Sequence, residues 1–265
     1  MNKFYIQFVF FLLSIFVYVN NKTHASEPAP GTSTAPESAY HCLTSEEIYE
    51  KNKHLLYTDP EETIKAGEVM NEAVEALEYH AANIDDYEFY ERNPNNTLLL
   101  FKKKHYGDLD IKKSHYVACK SYKYNEIISM AWDPDYANFL NIGSFKITRV
   151  YNPNLVMIQQ RYKDSSKNRQ KYFYALAANI EMSKDRTIVV RVSADINDHN
   201  PSNDKYKNEI VKNANLFKTD IDSDEDIRKG ELEKTFVNIA GYIVENKGDC
   251  VNVTYIESIN KYCTI

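Results

Sequence analysis

Hydrophobic and polar positions divide the chain into an apolar head, a helical stretch and a long strand-rich remainder. Four apolar, β-prone runs follow one another over residues 144–151, 155–162, 170–182 and 186–196. Asn152-Pro153-Asn154 and the segments 163–169 and 183–185 separate them. A parallel crossover needs a dozen or more residues, so these runs predict antiparallel neighbours. Leu155-Val156-Met157-Ile158 and Ile188-Val189-Val190 are apolar without alternation. Both faces of those strands therefore need cover. One cover can be a helix; the other can be a core or a hollow for an apolar guest.

Upstream, Thr44 and Glu47 form a capping-box pattern that predicts a short helix to about Leu56. A second helix is predicted from Asp59 as N-cap, with Pro60 at its first position. Ala66, Met70, Ala73, Val74, Leu77 and Ala81 give it one apolar stripe. Strands over 87–92, 97–104 and 112–119 come next, then a helical piece over 124–139 broken near Pro134. The segment 197–232 is polar and irregular, with a short helix expected over 206–214. Strands over 234–245 and 250–259 close the chain. Nine antiparallel strands with helices segregated in sequence make an α+β layer architecture.

The head of the chain changes how the rest is read. Residues 4–19 form a nearly continuous apolar run behind a short basic start, and Thr23-His24-Ala25 places small residues at a cleavage site. Residues 1–25 are therefore read as a secretory signal peptide, short for a spanning helix, with an uncleaved membrane anchor as the alternative. Residues 26–43 are rich in Pro, Ser, Thr and Ala and read as a linker without a core. Residues 44–58 read as an N-terminal helical extension and 59–265 as the folded domain. Loss of Lys3 and Lys22 with the leader moves the formal charge from −6 to −8 (−6 − 2). An acidic chain argues against nucleic acid as a partner. Cys42, Cys119, Cys250 and Cys263 fit no zinc spacing, and their pairing stays open. Asn95-Asn96-Thr97 and Asn252-Val253-Thr254 are glycosylation sequons.

The order of elements resembles the StAR-related lipid transfer (START) domain. The residues that carry the likeness are the aromatic strand Tyr87-Glu88-Phe89-Tyr90, a helix ending in Trp132-Asp133-Pro134-Asp135, and the strands over 155–162 and 169–178. The closing runs Ala240-Gly241-Tyr242-Ile243-Val244 and Cys250-Val251-Asn252-Val253-Thr254-Tyr255 complete it. The leader and the segments 44–56, 150–161, 169–178 and 213–221 are similar to the malaria-parasite fam-a family of secreted START proteins. The resemblance implies a helix-grip fold: a curved antiparallel sheet of about nine strands around a helix, enclosing a tunnel for one lipid. It implies transfer of a phosphatidylcholine-like phospholipid, transient membrane contact, secretion, and export through the parasitophorous vacuole into the host erythrocyte. START domains end in a long lid helix, whereas this sequence stops at Ile265 soon after its last strand. The lid is therefore expected to be missing, and the RxLxE export signal is absent. A scaffold that has lost transfer and serves as an exported interaction or antigenic protein is the alternative.

Lipid binding needs apolar walls and a few fixed polar groups. Met157, Leu176, Val190 and Tyr242 are candidate wall residues. Tyr172 and Tyr174 share a strand face, where aromatic rings with a carboxylate suit a quaternary ammonium. Arg161, Arg169 and Arg191 flank or interrupt apolar runs, where a guanidinium can grip a phosphate. Trp132 is placed to stack at a headgroup. Asp220, Asp222, Asp224, Asp226 and Glu231 mimic a calcium loop, but Glu225 stands where that loop's tight turn needs glycine. No G-x-S-x-G, P-loop or H-E-x-x-H pattern is present, and no nucleophile, base and orienter set assembles. No metal or cofactor is called for, and a non-enzymatic monomer is expected.

Overall fold

The capping box forms as its residues dictate. In the computed structural model, which describes residues 43–83, 85–92, 98–104, 110–119, 124–135, 143–163, 170–202 and 206–260, helix α1 spans Ser45–Lys51. Thr44 Oγ1 accepts from the Glu47 N–H at 3.2 Å, and the Glu47 carboxylate accepts from the Thr44 N–H at 2.8 Å. The signal peptide, the linker to residue 42, the Asn95 sequon, Cys42, Cys263 and Arg169 lie outside the described residues. A 3₁₀ turn, Lys53–Leu55, leads to helix α2, Pro60–Ala82. Asp59 Oδ1 accepts from the N–H groups of Glu61 and Glu62, two of the donors that a helix start leaves without partners. At the other end Lys113 Nζ donates to the carbonyls of His80, Ala81 and Asn83, at 3.3, 2.7 and 3.0 Å. Its positive charge there also meets the negative end of the helix dipole.

Among the described residues nine strands form the main path of the sheet: β1 Glu88–Arg92, β2 Leu98–Lys104, β3 Asp110–Cys119, β4 Ser144–Asn152, β5 Leu155–Lys163, β6 Gln170–Ser183, β7 Arg186–Val192, β11 Phe236–Asn246 and β12 Cys250–Asn260. Their order is β1-β2-β3-β12-β11-β7-β6-β5-β4, and every neighbour in it is antiparallel. The run from β4 to β7 pairs in sequence, as the short turns require. The closing hairpin then joins the two halves, with β11 on β7 and β12 on β3. Cys119 and Cys250 face each other in that register and form a disulfide. Helix α3, Tyr124–Trp132, makes the crossing between β3 and β4. Among the described residues no helix follows β12.

Three details depart from the sequence pattern. The expected strand over 186–196 breaks after Val192, because the Ser193 hydroxyl donates to the Tyr174 carbonyl and accepts from the Val237 N–H. Its tail becomes β8, Asp195–Asn197, which pairs in parallel with β9, Lys218–Asp220. A two-residue strand, β10, Glu233–Lys234, pairs in parallel with β6. The helix expected over 206–214 is replaced by a 3₁₀ turn, Lys212–Asn215. There the Asn208 side-chain carbonyl takes the N–H groups of Ile210 and Val211, and the Glu72 carboxylate takes those of Lys212 and Asn213. Side chains supply what helical carbonyls would have. A last short helix, α4, spans Glu225–Arg228.

Both faces of the sheet are covered by protein. On the first face Met157, Leu176, Val190, Ile243 and Ile256 are buried beneath the α2 stripe of Ala66, Met70, Ala73 and Leu77. On the second face Val156, Ala175, Val189, Tyr242 and Val244 are buried with Ile48 and Tyr49 of α1 and Ile127, Ala131 and Trp132 of α3. Strand period two sends Val156 and Met157 to opposite clusters, which is why β5 is apolar without alternation. Gly241 allows the close fit of α2. A Cβ there would lie 2.7 Å from the Val189 carbonyl oxygen and 2.9 Å from Leu77 Cδ2.

Candidate functional site

The second face carries a buried cation. Arg191 of β7 lies opposite Ala240 and beneath the end of α3. Its Nη2 donates to the Ala131 carbonyl at 2.6 Å, one of the carbonyls a helix end leaves without an internal partner. Its guanidinium lies 4.8 Å from the Phe145 ring centroid. The residue is only 7% exposed, and burial pushes its pKa down, against the upward pull of Tyr242 and Tyr255. The rings of Tyr242 and Tyr255 stack at 4.5 Å across the β11–β12 hairpin, and the Tyr255 hydroxyl donates to Glu257 at 2.8 Å. Burial drives the Tyr242 phenol up to about 12, with Arg191 opposing. A compact positive group is thus held among aromatic rings under a short helix. Such a group attracts an anion that can displace a carbonyl from it.

The ten candidate residues do not converge. Arg191, Tyr242 and Trp132 lie on the second face. Met157, Tyr172, Tyr174, Leu176 and Val190 lie on the first, packed under α2, with Arg161 opposite Tyr172 in the register. Arg169 lies outside the described residues. Tyr172 and Tyr174 do meet edge to face at 6.1 Å, and a carboxylate is present. That carboxylate is Asp198, which accepts from the Tyr172 hydroxyl at 2.9 Å and from Lys234 at 2.8 Å. Lys234 holds the place a ligand cation would take. The Tyr174 hydroxyl accepts from Gln159 at 2.6 Å.

Arg161 grips the acidic segment. Its guanidinium donates to Asp226 at 2.5 Å and to Asp224 at 2.6 Å, and Lys146 donates to Asp224 at 2.9 Å. Asp220 bonds His199, and Asp222 pairs with Arg228. Asp222, Asp224 and Asp226 of the calcium-like pattern therefore face cations of the chain itself. Sequence reasoning missed Phe145, Tyr255 and Asp198. Of these, Tyr255 was recoverable, since a hairpin turning at Gly248 pairs it with Tyr242 by counting outward from the turn. A cleft of about 400 Å³ also opens between α1 and α3, with Trp132 and Asn179 in its wall.

No protein-family model matches the chain, and no curated protein matches its sequence. Among solved structures, human StAR-related lipid transfer protein 5 aligns with a TM-score of 0.52 at 9% identity, over 76% of this chain and 85% of that one. A STAR-related lipid transfer protein from Xanthomonas axonopodis aligns with a TM-score of 0.44 at 9% identity, over 68% of this chain and 83% of that one. The fold is START-like, a large antiparallel sheet of about nine strands with a few helices.

Proposed function

We propose that this chain binds a single phospholipid against the second face of its sheet and carries it between membranes. The observation that carries the reading is the START-like fold it has in common with human StAR-related lipid transfer protein 5. The second face supports it with chemistry. Arg191 supplies a buried cation for a phosphate, and the rings of Phe145, Tyr242 and Tyr255 gather around that charge. A choline group bound there would find aromatic faces and the Glu257 carboxylate beyond them. The acyl chains would take the place of α1 and α3 side chains against the apolar side chains of β5, β6, β7 and β11, which those helices cover on the same face. Phosphatidylcholine is the proposed ligand, and the leader over 1–25 is proposed to send the protein out of the cell and on into a host cell.

The test uses the chain without its leader and vesicles that contain fluorescent phosphatidylcholine. Extraction of the lipid into the soluble fraction is expected. Arg191→Met should lower extraction about tenfold or more, the scale of one lost charge-assisted hydrogen bond pair. Its near-ultraviolet circular dichroism should stay unchanged. No extraction by the parent protein, with no lipid found in it by mass spectrometry, overturns the reading.

A further inference from the structure

The cleft between α1 and α3 has a chemistry of its own. One side of α3 lines it through Tyr124, Ile128 and Trp132, spaced one turn apart. Asn179 of β6 lies in the same wall. The Trp132 Nε1–H and the Asn179 Oδ1 are both closed off from solvent, and neither has a hydrogen-bond partner among the described residues. Buried polar atoms are normally paired, so an isolated donor and an isolated acceptor in one wall call for an explanation. Two neighbouring pairs of polar groups are satisfied. Asn179 Nδ2 donates to Ser45 Oγ at 3.0 Å, and the hydroxyls of Tyr124 and Thr187 bond at 2.8 Å.

We propose that this cleft, on a small parting of the side chains in its wall, binds a neutral, hydroxyl-bearing amphiphile, its hydroxyl held between the Trp132 indole N–H and the Asn179 amide. A hydroxyl both accepts and donates, so one group satisfies both atoms, and it does so for either orientation of the amide. The apolar tail would lie along Ile128 and the Tyr124 ring. Glu46 and Glu181 line the cleft and disfavour a carboxylate or phosphate, and Lys184, also in the lining, is shared with Asp185 at 3.8 Å. The volume of about 400 Å³ falls in the range of small-molecule sites. Arg191 is not among the lining residues, so the site stands whether or not the phospholipid reading does.

Trp132 is the only tryptophan of the chain and reports on its own site. Decan-1-ol, decanoate and decane are titrated into the protein, with tryptophan emission and calorimetry as readouts. Decan-1-ol should bind tightest and shift the emission to the red as the indole N–H gains a partner. Trp132→Phe and Asn179→Leu should each weaken decan-1-ol by about tenfold while leaving decane nearly unchanged. Equal binding of the alcohol and the alkane, tighter binding of decanoate, or full alcohol affinity in both variants overturns the proposal. If a variant fails to fold, the three-ligand comparison on the parent protein decides alone. Failure to extract phosphatidylcholine has no bearing on this outcome.

Discussion

Lys112 and Lys113 are adjacent and chemically identical, yet the fold gives them opposite work. Lys112 is exposed and pairs with Glu257, whereas Lys113 is buried and closes the end of α2 against three carbonyls. Strand alternation predicts that they part, but not which goes in, because a basic pair reads as a solvated strand face. Gly241 is similar. Nothing in the run Ala240-Gly241-Tyr242 announces that a helix side chain and a neighbouring strand's carbonyl oxygen close on that position. The Val189 oxygen is backbone and cannot swing aside. Gly241→Ala is therefore expected to cost about 1–3 kcal/mol, the usual range for overpacking a tight core. The urea midpoint should fall with little change in slope, and a midpoint equal to the parent's would contradict the close fit. Tyr172 and Tyr174 show the opposite case. Their shared face and the need for a carboxylate were readable from alternation, but the lysine that occupies that carboxylate comes from β10, far along the chain.

At the scale of elements, legibility followed locality. Capping chemistry at Thr44 and Asp59 and the apolar stripe of α2 depend on neighbours three or four residues away, and both helices start where those residues place them. The hairpins from β4 to β7 depend on short turns, and they pair in the expected order. The strand over 186–196 was read too long because Ser193 leaves the ladder for reasons set by β6 and β11. The disulfide is of the same kind. Four cysteines allow several pairings, and only the approach of β12 to β3 selects Cys119 with Cys250. That bond spans a separation of 131 residues, so it restricts the unfolded chain strongly. Reducing it, or replacing both cysteines with serine, should lower stability by about 2–4 kcal/mol. The flanking β3–β12 register should still form, because its backbone pairs do not depend on the sulfur atoms. Urea unfolding with and without dithiothreitol checks the first claim, and far-ultraviolet circular dichroism checks the second.

Across the whole molecule, the acidic segment closes the free ends of β4 and β5 through Lys146 and Arg161. The hydrogen bond from Arg161 holds the Asp226 carboxyl below its usual range. Burial opposes the same shift at Asp224, but bonds from Lys146, Gln159 and Arg161 outweigh it. A carboxyl depressed in the folded state stabilises above its unfolded pKa of about 4 and loses that contribution as pH falls through the folded value. Stability should therefore be insensitive to this cluster from pH 7 to 5 and decline below about pH 4. Asp226→Asn should be less stable than the parent at pH 7 and decline less between pH 5 and 3; parallel declines in urea midpoint would remove the cluster from that role. The sequence by itself determined the nine strands of the main path, the hairpins from β4 to β7, the two capped helices and the need to cover both faces of β5 and β7, because periodicity and turn chemistry act over a few residues. Only the tertiary structure decided which cover each face received and which side chains share a site. Those outcomes rest on the register of β11 against β7 and of β12 against β3, contacts between segments far apart in sequence. That register set Arg191 beneath α3 beside Tyr242, and the docking of α3 put Trp132 and Asn179 in one wall.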